Sequence, residues 1–159
     1  MQLVEQSYPK MHIFVSGPAG SGKSLLIKAI TQATIWIVNK NILTQDTNSA
    51  KILLTAPTGK AAYNIGGTTL HSAFALPIHH RSTITPLNGN TVHTLSIKMA
   101  EIKTLIIDEN SMCSRDSFML VDVCLQQIMN LQVPFGGLNV LVFGDLFQLP
   151  PVGAILYLK

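Results

Sequence analysis

A glycine-rich segment near the start of the chain has the spacing of a phosphate-binding loop. Residues 17–24 (GPAGSGKS) fit the pattern G-x-x-x-x-G-K-[ST] in full. In such a loop the backbone N–H groups surround the phosphates, the lysine reaches the β and γ phosphates, and the final hydroxyl binds Mg²⁺. Lys23 and Ser24 are predicted for these last two roles. The predicted phosphate cradle consists of Gly17, Pro18, Ala19, Gly20, Ser21, Gly22, Lys23 and Ser24.

Two other interpretations of this segment compete with a phosphate loop. A chance glycine-rich turn is disfavoured, because an apolar run typical of a strand (residues 12–16) precedes the segment and a helix pattern starts at about Lys23. A dinucleotide-binding fingerprint fits poorly, because no third glycine completes G-x-G-x-x-G. The strand–loop–helix context favours phosphate binding.

Two adjacent carboxylates follow a second apolar run, residues 104–107 (TLII). A buried strand that ends in acids can present one of them, Asp108, to the Mg²⁺ shell, where it holds the ion through water. The other, Glu109, is predicted to orient or deprotonate an attacking water. This pair argues against a small nucleotide kinase, since a kinase need not activate water.

A third polar segment, residues 144–151 (GDLFQLPP), closes another apolar run. The neutral amide of Gln148 can accept a hydrogen bond from water and donate one to phosphate, so it is predicted to sense the γ phosphate. The alternative is a polar loop that two prolines stiffen.

Residues 57–62 (PTGKAA) and 68–72 (TTLHS) follow the remaining apolar run. Lys60 stands at a predicted helix start, where the helix dipole disfavours a cation, so we expect it to serve a ligand. A nucleic-acid backbone could dock on Thr58, Gly59, Lys60 and nearby N–H groups. For His71 the alternative is a histidine that packs under the edge of the sheet.

The elements that position these motifs alternate between strand and helix patterns. This alternation predicts an α/β fold with a parallel, doubly wound sheet, whose ligands gather at the carboxyl ends of the strands. The strands are predicted at residues 12–16, 51–56, 104–107 and 138–143. Short helices are predicted at 59–65 and 69–75. An irregular segment at 76–90 follows them, and another short helix is predicted at 95–102.

Two longer helices carry apolar stripes. The first starts near Lys23, and its predicted core face comprises Leu25, Leu26, Ala29, Ile30 and Ala33. The second has Ser114 as its N-cap and Asp116 in its first turn, where the dipole favours an acid. Its stripe comprises Phe118, Val121, Leu125 and Ile128. Trp36 and Met112 are also expected in the core.

The composition limits the protein class. The chain has 159 residues, 47% of them apolar and 12% charged, which excludes a disordered protein and predicts one domain. No apolar run approaches the roughly 18 residues of a membrane span. Two cysteines without a secretory signal predict reduced, intracellular thiols. The formal charge of +3 does not by itself indicate nucleic acid, but the low charge content suggests an apolar face that packs on something else.

The order of the motifs resembles the superfamily-one DNA helicases of the PIF-one/RecD type. The segments that carry the resemblance are GPAGSGKS, APTGKAA, TTLHSAF, LIIDENSM and FGDLFQLPPV, within residues 12–153. The resemblance implies a P-loop NTPase with a RecA-like sheet. It also implies an ATP-dependent enzyme that uses Mg²⁺ and moves 5′ to 3′ on single-stranded DNA. DNA repair, recombination and telomere maintenance are the implied processes, with a nuclear or mitochondrial location if the protein is eukaryotic.

Residue roles follow from the same resemblance. Lys23, Glu109 and Gln148 are implied as catalytic, Ser24 and Asp108 as metal ligands. Thr58, Gly59, Lys60 and His71 are implied on the DNA side. One departure is Asn110, where the family usually has an apolar residue.

The resemblance also predicts a domain organisation. Residues 1–11 are expected to be an N-terminal extension and residues 12–159 the first RecA-like motor domain. The second motor domain, which carries arginine fingers in this family, is expected as a partner that this chain lacks. The alternative function is a catalytically weak module that binds ATP and DNA, left from a truncated helicase or transposon copy.

Overall fold

The apolar runs of the sequence pair side by side in one sheet. A computed structural model of the chain describes residues 9–41, 51–76 and 87–148. Its five strands are all parallel and lie in the order β1-β5-β4-β2-β3. Their bounds are β1 His12–Ser16, β2 Ile52–Ala56, β3 Thr68–Thr69, β4 Thr104–Ile107 and β5 Asn139–Gly144. The predicted parallel α/β sheet is confirmed.

Five α-helices flank this sheet within the described ranges. They are α1 Lys23–Asn41, α2 Gly59–Asn64, α3 Leu70–Phe74, α4 Gly89–Met99 and α5 Arg115–Ile128. Short 3₁₀ turns at Asn110–Met112 and Pro134–Gly137 precede α5 and β5. The strand β3 was not predicted, because it has only two residues and the second of them, Thr69, lies inside a pattern that suggested a helix.

Alternate residues of the central strands face opposite layers of the core. Leu105 and Ile107 on β4 pack in the cluster that α3, α4 and α5 cover, whereas Ile106 packs in the cluster that contains Ile27 of α1. These three residues of β4 are fully buried. Burial on both faces is the reason that these strands read as continuous apolar runs rather than as alternating patterns.

The register of the strands brings their carboxyl ends to one edge of the sheet. Ser16 of β1 pairs with Gly144 of β5, and Ile107 of β4 pairs with Thr55 of β2. Beyond the strands, the Gly17 N–H donates to the Gly144 carbonyl over 3.1 Å. The Asp108 N–H likewise donates to the Thr55 carbonyl over 2.9 Å. The motifs that begin at Gly17, Asp108 and Gly144 therefore start at the carboxyl ends of neighbouring strands.

The predicted core face of α1 is wrong. Of its five residues only Ile30 packs on the sheet, while Leu25 is 72% exposed and the fully buried residue is Ile27. Apolar residues occupy both sides of this helix, so their spacing does not select a face. Trp36 and Met112 are not core residues either, at 63% and 45% exposed.

The start of α4 also differs from the prediction. The helix begins at Gly89, inside the segment predicted to be irregular, because Asn88 caps it: its Oδ1 accepts from the Thr91 N–H over 2.8 Å. The predictions for α5 are confirmed. The Ser114 Oγ accepts from the Ser117 N–H over 3.1 Å, and Asp116 lies in the first turn. Residues 77–86 of the predicted irregular segment lie outside the described ranges.

The turn before β5 is tied to α5. The Asp122 Oδ1 accepts from the Phe135 N–H over 2.6 Å, and the Phe135 ring contacts the edge of Phe118. Gly136 has a positive φ of 57°, and a Cβ there would lie 2.5 Å from the Leu125 carbonyl oxygen. Only glycine fits this close approach, which sets where the chain enters β5.

No helix within the described ranges, α1 included, is both long and apolar enough to cross a membrane.

Burial raises the pKa of the Cys113 and Cys124 thiols to about 11. Both thiols are therefore protonated at neutral pH and react slowly as nucleophiles.

Candidate active site

The glycine-rich loop connects β1 to α1, as the sequence predicts. Gly20 and Gly22 have φ values of +77° and +87°, a conformation that glycine adopts at little cost. The Lys23 Nζ donates to the carbonyl oxygens of Gly17 and Pro18 over 2.6 and 2.9 Å. The lysine amine is thus held inside the curve of the loop, beside the first turn of α1.

The acidic pair follows β4 with two different environments. Asp108 is only 4% exposed, and its Oδ1 accepts from the Glu109 N–H over 2.9 Å. Glu109 is half-buried and adopts the left-handed conformation, with φ 51° and ψ 42°. This conformation costs a non-glycine residue on the order of 1 kcal/mol, and such strain concentrates at functional sites.

The third motif makes a tight turn after β5. The buried Asp145 accepts from the Phe147 N–H through Oδ1 over 3.0 Å, and its carbonyl accepts from the Gln148 N–H over 3.1 Å. The turn leaves the Gln148 side chain exposed to solvent. The neutral amide is therefore free to reorient toward a ligand.

These three motifs line one cavity of about 360 Å³. Its volume falls in the range of small-molecule sites, about 300–1,000 Å³. The residues that line it are Ala19, Gly20, Gly22, Lys23, Ser24, Leu25, Asp108, Glu109, Ser111, Gly144, Asp145 and Gln148. The structure thus brings together every residue predicted to be catalytic or to bind metal.

The remaining predicted cradle residues, Gly17, Pro18 and Ser21, do not line the cavity but lie in the same loop. Gly17 and Pro18 hold the Lys23 amine through their carbonyls, and the Ser21 N–H donates to the Pro18 carbonyl over 3.2 Å. Four residues that line the cavity were not predicted as site residues, namely Leu25, Ser111, Gly144 and Asp145. The last three lie inside the motifs already singled out, so their position in the motif was the available signal, whereas Leu25 was predicted to face the core.

The residues predicted for DNA lie apart from the cavity. Thr58 caps α2, with its Oγ1 accepting from the Ala61 N–H over 3.3 Å, and Gly59 and Lys60 are exposed. His71 is exposed on α3, so the alternative of a histidine packed under the sheet edge is wrong. These residues follow β2 and β3, at the same edge of the sheet as the cavity.

Comparison with known proteins identifies the family. A family model described as PIF1-like helicase matches residues 2–155. The chain belongs to the PIF1-like helicase family. The structural neighbours are RecA-like domains of Pif1 helicases, so the predicted RecA-like fold is confirmed. The resemblance found in the motif order is likewise confirmed.

Individual members of the family align along most of the chain. An ATP-dependent DNA helicase Pif1 from Psychrobacter sp. is 35% identical over 144 residues, which cover 90% of this chain and 20% of the relative. The structure of unliganded Pif1 from Bacteroides sp. is 36% identical, with a TM-score of 0.65, over 90% of this chain and 29% of that one.

A further Bacteroides structure contains ligands. It is a Pif1 helicase in complex with ADP-AlF3 and ssDNA, 36% identical, with a TM-score of 0.63, over 92% of this chain and 31% of that one. This chain thus spans less than a third of the length of each of these three helicases.

Proposed function

We propose that this chain binds Mg-ATP and supplies the phosphate-binding, metal-binding and water-activating residues of an ATP-dependent DNA helicase motor. The observation that carries the proposal is the single cavity on which the ends of β1, β4 and β5 converge. Five groups with different proposed roles in phosphoryl transfer line this cavity: the amine of Lys23, the hydroxyl of Ser24, the carboxylates of Asp108 and Glu109, and the amide of Gln148. Chance placement of one motif does not produce this set.

Phosphate binding is assigned to the loop and to Lys23. The Lys23 amine bonds only to carbonyl oxygens of its own loop among the described residues, and it can exchange these for phosphate oxygens. The first turn of α1 adds unpaired N–H groups and the positive end of the helix dipole. Both features favour a polyanion over a neutral ligand.

The residues present fit a magnesium ion. Asp108 offers a carboxylate and Ser24 a hydroxyl, which are the hard oxygen ligands that Mg²⁺ prefers. Among the described residues no three His, Cys, Asp or Glu side chains converge to form an all-protein cage. Mg²⁺ bound here would therefore keep water and phosphate as its other ligands, and it would neutralise charge on the phosphates.

Water activation is assigned to Glu109 and phosphate sensing to Gln148. Glu109 lines the cavity next to Asp108 but is less buried, so its carboxylate remains accessible to a water molecule. Gln148 lies in the turn after β5 and can contact both water and phosphate. The ADP-AlF3 in the Bacteroides relative supports a nucleotide at this site.

Single-stranded DNA is proposed to contact the surface of Thr58, Gly59, Lys60 and His71. Lys60 is exposed at the first turn of α2, and His71 is exposed on the neighbouring α3. Cations and hydroxyls of this kind bind the sugar-phosphate backbone without reading sequence. The ssDNA in the same relative supports this partner.

The whole-protein properties are proposed from the family. These properties are DNA unwinding, 5′ to 3′ movement along single-stranded DNA, and association with a second RecA-like domain. DNA repair, recombination and telomere maintenance are the proposed processes, and a nuclear or mitochondrial location applies if the protein is eukaryotic.

A second candidate function is a module that binds ATP and DNA but turns over little. Within the part of the chain that the structure describes, no arginine lines the cavity. An arginine finger contributes about 10³–10⁵ in rate to phosphoryl transfer. Without one from another domain or copy, hydrolysis stays slow.

Substituting Lys23 tests the phosphate site. Lys23→Ala is expected to weaken the affinity for a fluorescent ATP analogue by about tenfold to a hundredfold, because charge-assisted hydrogen bonds are lost. Circular dichroism should show an unchanged fold. Lys28→Ala, an exposed lysine on the same helix, is the control and should bind as the parent does. Equal affinity in both variants would refute the assignment.

Substituting Glu109 separates binding from chemistry. Glu109→Gln is expected to keep Mg-ATP affinity. With a homologous second motor domain added, its hydrolysis should fall by about 10²-fold or more, because the amide cannot accept the proton of the water. Glu101→Gln, an exposed glutamate away from the cavity, is the control. Hydrolysis at the parent rate in Glu109→Gln would mean that another residue activates water.

Substituting Lys60 tests the DNA surface. Lys60→Ala is expected to weaken binding of a fluorescent oligothymidine and to reduce the slope of log affinity against log salt by about 0.7, as loss of one phosphate contact requires. Lys98→Ala, an exposed lysine at the end of α4, should change neither value. Fluorescence anisotropy at several salt concentrations measures both, and identical curves for parent and Lys60→Ala contradict the assignment.

Steady-state ATPase of residues 1–159, with and without single-stranded DNA, distinguishes the two candidate functions. Because no arginine lines the cavity within the described ranges, we expect slow turnover with little DNA stimulation. Addition of a homologous second motor domain should raise the rate. Rapid DNA-stimulated turnover by this chain alone, abolished by Lys23→Ala, would show that neighbouring copies supply the missing group.

A further inference from the structure

The 3₁₀ turn after the acidic pair contains a serine whose hydroxyl has no structural partner. The Ser111 Oγ is buried, and it has no hydrogen-bond partner among the described residues. Burying a hydroxyl without a partner costs about as much as a lost hydrogen bond, so such groups are rare in native proteins. Ser111 also lines the cavity that holds Lys23, Asp108 and Glu109.

Local geometry explains how Ser111 comes to line the cavity. The left-handed conformation of Glu109 reverses the chain direction, and the Met112 N–H then bonds to the Glu109 carbonyl over 3.0 Å. This turn lies against β5: the Ser111 nitrogen is 3.5 Å from where a Cβ on Gly144 would stand. Ser111 is thereby placed between the ends of β4 and β5.

We propose that Ser111 is a positioning residue whose hydroxyl accepts a hydrogen bond from a water molecule in the Mg²⁺ shell of the bound nucleotide. The inference rests on the proposed Mg-ATP site. Mg²⁺ keeps several of its waters when it binds to one or two side chains and to phosphates. Those waters are polarised donors that need acceptors, and a serine oxygen has two lone pairs.

Nearby hydroxyls contrast with Ser111. The Ser114 hydroxyl caps α5, and the Ser117 hydroxyl is hydrogen-bonded to the Ser114 hydroxyl over 2.9 Å. Both hydroxyls therefore stabilise the start of this helix. Thr55, at the end of β2, donates to the Ile106 carbonyl over 2.9 Å. Ser111 alone among these four is at the cavity and lacks a partner in the described structure. Its position therefore points to a ligand rather than to the fold.

The proposal predicts opposite effects on stability and on magnesium response. Ser111→Ala should keep or raise the melting temperature of the ligand-free chain, because removing an unpaired buried hydroxyl relieves its desolvation cost. In the same variant, the gain in affinity for a fluorescent, non-hydrolysable ATP analogue on adding Mg²⁺ should shrink about fivefold. Affinity in EDTA should stay at the parent value.

Two further variants complete the test. Ser114→Ala is the matched control: it should lower the melting temperature by removing a helix cap, and leave the Mg²⁺ response unchanged. Ser111→Thr keeps the hydroxyl and should keep the Mg²⁺ response. Both are measured by the same titration of Mg²⁺ at fixed nucleotide.

Each contrary result has a defined meaning. A full Mg²⁺ response in Ser111→Ala overturns the inference and leaves the proposed function intact. Unfolding or a lower melting temperature of Ser111→Ala overturns it too, because the hydroxyl would then have a structural role. If the parent chain itself fails to bind the analogue, the proposed function fails and the inference fails with it.

Discussion

Parallel pairing of β1, β5 and β4 is the constraint on which the candidate site depends. Parallel strands bring their carboxyl ends to one edge, and here the register is locked beyond the strands by the bond from the Gly17 N–H to the Gly144 carbonyl. A slip of one residue would move every side chain of a strand to the opposite face. It would therefore separate the phosphate loop from Asp108 and Gln148 as well as disrupt the core.

The strand β4 stabilises the core, whereas the polar residues directly after it lower stability. Within β4 every residue beyond Thr104 is fully buried and apolar, which stabilises the sheet. Directly after it come a buried carboxylate, a left-handed glutamate, and two side chains with unpaired buried oxygens, Asn110 and Ser111. Such groups lower stability, and the apolar layers on both sides of β4 offset that cost. A strained residue beside unpaired polar atoms at a strand end is typical of functional sites.

The exposed apolar residues agree with the low charge content. The strand β1 lies at the edge of the sheet and exposes Ile13 and Phe14, while α1 exposes Leu25 and Trp36. Exposed apolar side chains on an edge strand are suited to contact another domain or partner. The same residues explain why periodicity misplaced the core face of α1, since this helix is apolar on two sides.

The sequence by itself determined the family, the parallel α/β class and most strand positions, and it predicted the residues of the candidate site. Those signals are local: a phosphate loop needs glycines, a lysine and a hydroxyl at fixed spacing, and buried strands need continuous apolar runs. Only the tertiary structure decided that Ile27 rather than Leu25 is buried, that α4 begins at Gly89, and that Ser111 joins the cavity. The burial of Ile27 and the place of Ser111 at the cavity depend on contacts between segments that are distant along the chain. The start of α4 depends instead on a local cap, since the Asn88 Oδ1 accepts from the Thr91 N–H, and the apolar spacing of the helix does not show where that cap forms.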